Sequence, residues 1–150
     1  MKKKKGFTLI ELLVVIGILV ILMAAAIVAI NPLRQFAIAN NANRWSGVTT
    51  IMNAVYQNIV DNRGVFVCSV DAIPTGTPEY VWSTTTPGGN IAGCLIPTYL
   101  ATMPVDPQGG IYTSTTSYNT GYNIYQNPTT SRITICASTT QNNETICTTR

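Results

Sequence analysis

The most constraining feature of this sequence is an apolar run close to its start. Residues 7–30 contain one charged side chain, Glu11, and sixteen of these 24 residues are Leu, Ile, Val or Phe. As an α-helix the run would be about 36 Å long, enough to cross a hydrocarbon core of about 30 Å. Four lysines precede it, and such lysines stay on the cytoplasmic side of a membrane. The sequence therefore predicts a single-pass membrane helix with the remaining chain outside the cytoplasm.

A carboxylate within such a helix requires an explanation, because a charge at the centre of a bilayer costs about 2.5–3.5 kcal/mol. A simple membrane anchor gives Glu11 no role. A secretory signal peptide cut at the alanines 24–26 gives it none either, and the apolar run continues beyond those alanines. Cleavage between Gly6 and Phe7 would create an amino group near Glu11. That amine could pair with Glu11 of its own chain along the helix. It could also pair with Glu11 of a neighbouring chain and fix the register of a helical bundle.

The stretch KKKKGFTLIELLVV resembles the class III signal of type IV pilins and of the pseudopilins of type II secretion. A short basic leader ends at Gly6, Phe7 would be the first mature residue, and Glu11 would be the fifth. The resemblance implies that a prepilin peptidase cuts after Gly6 and methylates the amino group of Phe7. It also implies that Glu11 guides subunit docking.

The same resemblance implies the partners and the location of the chain. The expected partners are further copies in a helical filament, the prepilin peptidase, a platform protein of the inner membrane and an assembly ATPase. The precursor would span the cell membrane with its N-terminus in the cytoplasm. After assembly the chain would belong to an extracellular or periplasmic filament.

The expected fold class is α+β, a long N-terminal helix on a small antiparallel sheet. Residues 1–6 would be the cleaved leader, and 7–31 the transmembrane and filament-core helix. Residues 32–63 would form an amphipathic helix packed on the head, and 64–150 the β-rich extracytoplasmic head. Pro32 lacks an amide N–H and biases Asn31 away from helix. A kink or a restart of the helix is therefore predicted at Pro32.

The amphipathic segment shows apolar residues three or four positions apart, as expected for one buried helix face. The predicted apolar stripe consists of Phe36, Trp45, Val48, Ile51, Met52, Val55, Tyr56 and Ile59. The predicted solvent face consists of Gln35, Asn40, Asn43, Arg44, Asn53, Gln57 and Asn58. Gly64 is a suitable residue to follow the end of the helix.

After Gly64, short β-type runs alternate with Pro, Gly, Thr and Ser. Residues 65–70 are a candidate strand, and 74–93 read as a long loop. Three antiparallel strands are predicted at 122–125, 132–137 and 145–148, with a turn at 127–130 between the first two.

Four cysteines follow the apolar run, in a polar setting typical of disulfides in an oxidising compartment. A hairpin centred near Gln141 would place Cys136 opposite Cys147. Cys68 and Cys94 would then form a second disulfide that pins the long loop. Four cysteines allow three pairings, and the sequence alone leaves the choice open.

Composition argues against several other functions. The chain contains no histidine and no cluster of acids, so we expect no enzyme and no cofactor. Apart from the four lysines, five arginines face six acids, which leaves no basic patch for nucleic acid. The stretch YLATMPVDPQGG resembles the region of pseudopilin heads that binds calcium, and it makes Asp106 a weak candidate ligand. Because calcium takes 6–8 oxygens and the loop has one carboxylate, we expect no metal site.

These observations lead to one expected function and two alternatives. The expected function is a structural subunit, pilin or major pseudopilin, that polymerises through its N-terminal helix into a type IV pilus-like filament. The first alternative is a type II secretion pseudopilin acting in protein export. The second, much weaker, is a membrane-anchored surface domain.

Overall fold

The structure is a computed structural model that describes residues 6–83 and 89–150. The predicted leader 1–6 therefore lies outside the described residues except for Gly6, as do positions 84–88 of the predicted loop. The chain divides into two compact units, with a boundary between Phe36 and Ala37. Each unit is described by itself below.

The first unit is dominated by helix α1, Leu9–Ile30, in which every residue is exposed. The helix is long and apolar enough to cross a membrane, as the sequence predicted. Its one charged residue, Glu11, lies in the first turn, where a negative charge is favoured by the helix dipole. The exposed apolar side chains need a cover that the chain itself does not provide within the described residues.

Helix α1 stops and a second helix starts within two residues. Asn31 adopts the left-handed conformation, with φ of 46°, which asparagine tolerates better than most residues. Its side-chain Oδ1 then accepts a hydrogen bond from the Arg34 N–H at 3.4 Å. Pro32 occupies the first position of α2, Pro32–Asp61, where its missing N–H costs nothing. The break expected at Pro32 is thus an end followed by a restart.

The second unit has α2 on one side of its core and a five-stranded antiparallel sheet on the other. The strands are β1 Glu79–Trp82, β2 Ile111–Ser114, β3 Ser117–Gln126, β4 Ile133–Ala137 and β5 Cys147–Thr149, with a short helix α3, Ala92–Leu95. The sheet order is β1-β3-β4-β5, and β2 pairs with β3. Alternate residues of β3 point into the core, where they meet the apolar face of α2. The predicted α+β class is confirmed.

The predicted stripe on α2 is right at its centre and wrong at its start. Val48, Ile51, Met52 and Val55 are fully buried, whereas Phe36 and Trp45 are exposed. Tyr56 and Ile59 are partly buried against the same core. Two members of the predicted solvent face, Arg44 and Asn58, are buried instead. The helical period located the buried face but could not reveal which polar residues find partners inside it.

Residues 65–70 form no strand, so that prediction was wrong. The backbone N–H of Val67 donates to Asn58 Oδ1 at 2.9 Å, and its carbonyl accepts from Asn58 Nδ2 at 3.0 Å. A helix side chain thus satisfies the backbone groups that a sheet partner would otherwise bind. This bridge also explains why Asn58 is buried.

The predicted loop 74–93 is also partly wrong, because it contains β1. In β1 the exposed Tyr80 and Trp82 flank the buried Val81, the alternation typical of a half-buried strand. The prediction followed the flanking prolines and threonines and missed this four-residue alternation. Strand β2 was missed as well. The three strands predicted nearer the C-terminus correspond to β3, β4 and β5.

Two disulfides join Cys68 to Cys94 and Cys136 to Cys147, the same pairs proposed from the sequence. Cys136 and Cys147 are directly opposite each other in the β4–β5 ladder. Cys94 lies in α3, so the first disulfide ties α3 to the segment that follows α2.

Candidate functional site

The residues at the predicted cleavage point precede α1 and are exposed. Gly6, Phe7 and Thr8 have no regular secondary structure, and 87% of the surface of Phe7 is accessible. A side chain added at Gly6 would meet no described atom within 4 Å. A peptidase that requires glycine at this point would therefore select it through its own site, because the chain itself imposes no steric constraint there.

Glu11 completes a capping box with Thr8. One carboxylate oxygen, Oε2, accepts hydrogen bonds from the Thr8 N–H at 2.8 Å and from the Thr8 hydroxyl at 2.7 Å. The Thr8 Oγ1 in turn accepts from the Glu11 N–H at 3.3 Å. The box stabilises the start of α1 by satisfying backbone donors that have no partner within the helix.

The capping role of Glu11 was missed in the sequence, although the signal was there. Thr8-Leu9-Ile10-Glu11 matches the pattern of Ser or Thr followed three residues later by an acid, ahead of an apolar run. The second carboxylate oxygen, Oε1, has no hydrogen bond to any described residue. Cleavage after Gly6 would leave both members of the box in the mature chain. Glu11 can therefore cap its own helix and still offer an oxygen to a cation on another molecule.

The head contains a buried ion pair that the sequence did not predict. Arg44 Nε lies 2.6 Å from Asp106 Oδ2, and Arg44 Nη2 donates to Asp106 Oδ1 at 3.2 Å. The side chains of Arg44 and Asp106 are 0% and 2% exposed. Arg44 also donates to Asn41 Oδ1 and to Gln108 Oε1, both at 2.9 Å. This geometry is a two-point clamp between α2 and the loop that precedes β2.

The surroundings of Asp106 favour its charged form. Burial raises the pKa of the carboxyl, but hydrogen bonds from Arg44, the Gln108 N–H and the Thr139 hydroxyl outweigh it and hold the pKa below its ordinary value. Both oxygens are thus taken by donors. Within the described residues no group of three or more His, Cys, Asp or Glu could hold a metal ion. This donor set does not fit calcium, which needs several free oxygens, so Asp106 serves here as the partner of Arg44.

Further hydrogen bonds connect α2 to the C-terminal loop, the segment between β4 and β5 that the Cys136–Cys147 disulfide closes. The Asn41 amide donates to the Gln141 carbonyl and to Glu144 Oε2, both at 2.7 Å. Trp45 Nε1 donates to Glu144 Oε1 at 2.9 Å. The bonds from Trp45 and Asn41 lower the pKa of Glu144. Asn41, Arg44 and Trp45 are three and four residues apart, so one face of α2 holds both loops.

Beside this face, α2 approaches the sheet closely at Gly47. A Cβ at Gly47 would lie 2.5 Å from the hydroxyl oxygen of Tyr122 and 2.9 Å from its Cζ. That hydroxyl is buried and has no hydrogen-bond partner among the described residues. Burial, together with the nearby charge of Asp106, raises the pKa of Tyr122 to about 12.

The comparisons with known proteins give one match. The family model described as the prokaryotic N-terminal methylation motif matches residues 1–27. The N-terminal segment therefore carries a prepilin-type methylation signal, the signal found in type IV pilins and pseudopilins. The match covers Gly6, Phe7, Glu11 and most of α1, so the motif and the capping box coincide. Searches of curated proteins and of solved structures found no match.

The pilin-type signal and the structure agree on the first unit. The signal implies processing by a prepilin peptidase and a membrane-anchored precursor, and α1 has the length and apolar surface for that anchor. The long apolar helix followed by a small antiparallel sheet is the layout of a pilin-like subunit. Proteins with this signal are generally structural rather than enzymatic.

Proposed function

We propose that this chain is a structural subunit that polymerises through α1 into a type IV pilus-like filament. The observation that carries the proposal is the single carboxylate, Glu11, on a helix whose other side chains are apolar or small and all exposed. In the membrane, lipid covers the apolar surface. In a filament, the α1 helices of neighbouring subunits would cover it.

Processing would supply the partner of Glu11. Cleavage between Gly6 and Phe7 frees an amino group that stays cationic after it receives one methyl group. We propose that this amine, on one subunit, binds the free Oε1 of Glu11 on its neighbour. Breaking a buried pair of charges costs about 3–5 kcal/mol, so a subunit inserted in the wrong register would be rejected.

Assembly also requires an energy source and a membrane protein that positions the subunits. The proposed partners are further copies of the chain, the prepilin peptidase, an inner-membrane platform protein and an assembly ATPase. Under this proposal the head is carried outside the membrane at the surface of the filament. The two disulfides fit such an oxidising location.

A pseudopilin of a type II secretion system is the second candidate. It would use the same signal and the same helix, with the filament acting in protein export. The calcium ligands that would favour it are not assembled at Asp106, whose oxygens bind Arg44, the Gln108 N–H and Thr139. We therefore rank the pilus subunit first, and a membrane-anchored surface domain last.

The test must separate docking by Glu11 from capping by Glu11, and three variants do so. Glu11→Gln removes the charge but keeps an oxygen for the capping box, because glutamine serves in that position. Thr8→Ala removes the box but keeps the carboxylate. Glu11→Ala removes both. Each variant would be expressed in cells that lack the native chain, and surface filaments would be counted by electron microscopy.

If the charge docks subunits, Glu11→Gln and Glu11→Ala lose filaments, while Thr8→Ala retains them. Membrane fractions should contain all three variants at the level of the native chain, since each change leaves α1 apolar enough to insert. Filaments in normal number from Glu11→Gln would contradict docking. Loss of filaments from Thr8→Ala alone would assign Glu11 to capping.

A further inference from the structure

We propose that a cavity on the outer face of the sheet binds an uncharged sugar ring. The cavity has a volume of about 370 Å³, within the range of small-ligand sites. It lies on the face of the sheet opposite α2, where the odd-numbered residues of β3 point away from the core. Its lining residues are Tyr80, Asp106, Gln108, Gly109, Asn119, Gly121, Ser138 and Thr139. This site does not depend on the filament proposed above.

Two amide side chains in the cavity have a fixed orientation. Asn119 Oδ1 accepts from the Gly121 N–H at 3.0 Å, and Gln108 Oε1 accepts from Arg44 Nη2 at 2.9 Å. A backbone N–H and a guanidinium only donate, so each amide must turn its oxygen toward them. The NH₂ groups of Asn119 and Gln108 donate to no described residue. The cavity lining therefore includes two amides whose oxygens are held and whose NH₂ groups remain available as hydrogen-bond donors.

Aromatic side chains stand beside these donors. Tyr80 is 51% exposed and lines the cavity, and Trp82 is 41% exposed. In the β1–β3 ladder Tyr80 is opposite Asn123 and Trp82 is opposite Asn119, so both rings lie on the outer face of the sheet. Tyr80 therefore supplies an exposed ring in the cavity, and Trp82 is exposed on the same face of the strand beyond the cavity lining.

Gly121 determines the shape of the cavity floor, and the ion pair of Asp106 with Arg44 determines its charge. Gly121 has φ of +75°, and a Cβ there would come within 2.8 Å of Asp106 Cβ, so only glycine lets the sheet approach this loop. The negative charge of Asp106 is compensated by Arg44. The other lining residues are uncharged. The site therefore offers no net charge to recognise an ionic ligand.

An uncharged sugar has the matching chemistry. The C–H groups on one face of a pyranose can cover the Tyr80 ring, burying apolar surface. Its hydroxyl oxygens can accept from the amides of Asn119 and Gln108. The Ser138 hydroxyl, which donates to Asn123 Oδ1 at 2.9 Å, can accept from a sugar hydroxyl. Few residues would move on binding, because both amides are already held.

The test uses the full chain in lauryldimethylamine oxide, since detergents with sugar headgroups would compete. The probes are methyl β-D-glucopyranoside, methyl β-D-galactopyranoside, methyl α-D-mannopyranoside and N-acetyl-D-glucosamine, followed by saturation-transfer NMR. We expect saturable binding of at least one probe, with a Kd of about 1 mM. The same titration followed by backbone amide shifts should place the largest changes at Gly109 and Gly121.

Matched variants locate the binding. Tyr80→Phe keeps the ring and should bind like the native chain, whereas Tyr80→Ala should weaken binding by about tenfold, the loss of one ring contact. Asn119→Asp keeps the oxygen for the Gly121 N–H but loses the donor, and should weaken binding at least about threefold. Gln57→Glu adds the same charge on the exposed face of α2 and should change nothing.

Unchanged thermal melting of each variant would show that the head is folded. The proposal is overturned if none of the four probes binds the native chain saturably. It is equally overturned if Tyr80→Ala binds as the native chain does, or if Gln57→Glu weakens binding as much as Asn119→Asp.

Discussion

Removing Arg44 should unfold the head more readily than any other single arginine change. Arg44→Met keeps the volume and the helix propensity but leaves Asp106 as a buried charge without its cation. Arg44 is fully buried and makes four hydrogen bonds, to Asp106, Asn41 and Gln108. Breaking one side of a buried ion pair costs about 3–5 kcal/mol. At about 4 °C per kcal/mol for a domain of this size, the melting temperature should fall by about 12–20 °C.

The assay is urea unfolding of the full chain in detergent, with the disulfides intact, followed by tryptophan fluorescence. Trp45 is one helical position from Arg44 and reports on the C-terminal loop, through its bond to Glu144. Arg132→Met is the matched control, because Arg132 is exposed and the change should stay within about 0.5 kcal/mol. A loss below about 1 kcal/mol for Arg44→Met would refute the buried clamp. So would equal losses in the two variants.

Three further predictions concern the same unit. Gly47→Ala should lower the free energy of unfolding despite the roughly 1 kcal/mol gain in helix propensity, because the new methyl group meets the Tyr122 hydroxyl. Tyr122→Phe alone should be neutral or stabilising, because that hydroxyl is buried without a partner among the described residues. Added to Gly47→Ala, it should restore part of the lost stability, as measured by urea unfolding. By the loop-entropy estimate, replacing Cys68 and Cys94 by alanine should lower the free energy of unfolding by about 3.5 kcal/mol, because their disulfide closes a loop of 26 residues. Replacing Cys136 and Cys147, which close a loop of 11 residues, should lower it by about 2.8 kcal/mol. A reversed order would show that strain or residual structure outweighs loop entropy. The pKa of Asp106 is lower in the folded chain than its unfolded value of about 3.9. Its contribution to the free energy of unfolding is therefore present above the unfolded pKa and is lost as pH falls through the folded pKa. Asp106→Asn should reduce the loss of stability below about pH 4, and an unchanged dependence of stability on pH there would contradict the assigned shift.

Local patterns in the sequence predicted the parts of this fold that depend on local physics. The apolar run predicted α1, Pro32 predicted the break after it, and the helical period predicted the buried centre of α2. The turn after β3 was also predicted: Asn127 Oδ1 accepts from the N–H groups of Thr129 and Thr130. Such a short-range Asx turn can be identified from the residues alone.

Most of the parts that the sequence did not predict depend on side-chain contacts between separate elements, which no local pattern indicates. Arg44 and Asp106 are 62 positions apart, and nothing near either residue indicates the pair. Asn58 replaces a strand partner for Val67, which is why the β-type run at 65–70 forms no strand. A polar residue on the predicted solvent face of a helix can therefore be buried when a loop supplies its hydrogen-bond or ion-pair partner. The Thr8–Glu11 box was the exception, since its pattern is local.

Intact mass and N-terminal sequencing of protein sheared from the cell surface is the decisive measurement. We predict a chain that begins Phe7-Thr8-Leu9, carries one added methyl group and contains two disulfides. That result would place a processed subunit outside the cell with Glu11 as its fifth residue. A terminus after Ala26 would mean a secreted protein whose mature form lacks Glu11. An intact Met1, with no protein in the sheared fraction, would also contradict filament assembly and leave only an anchored domain.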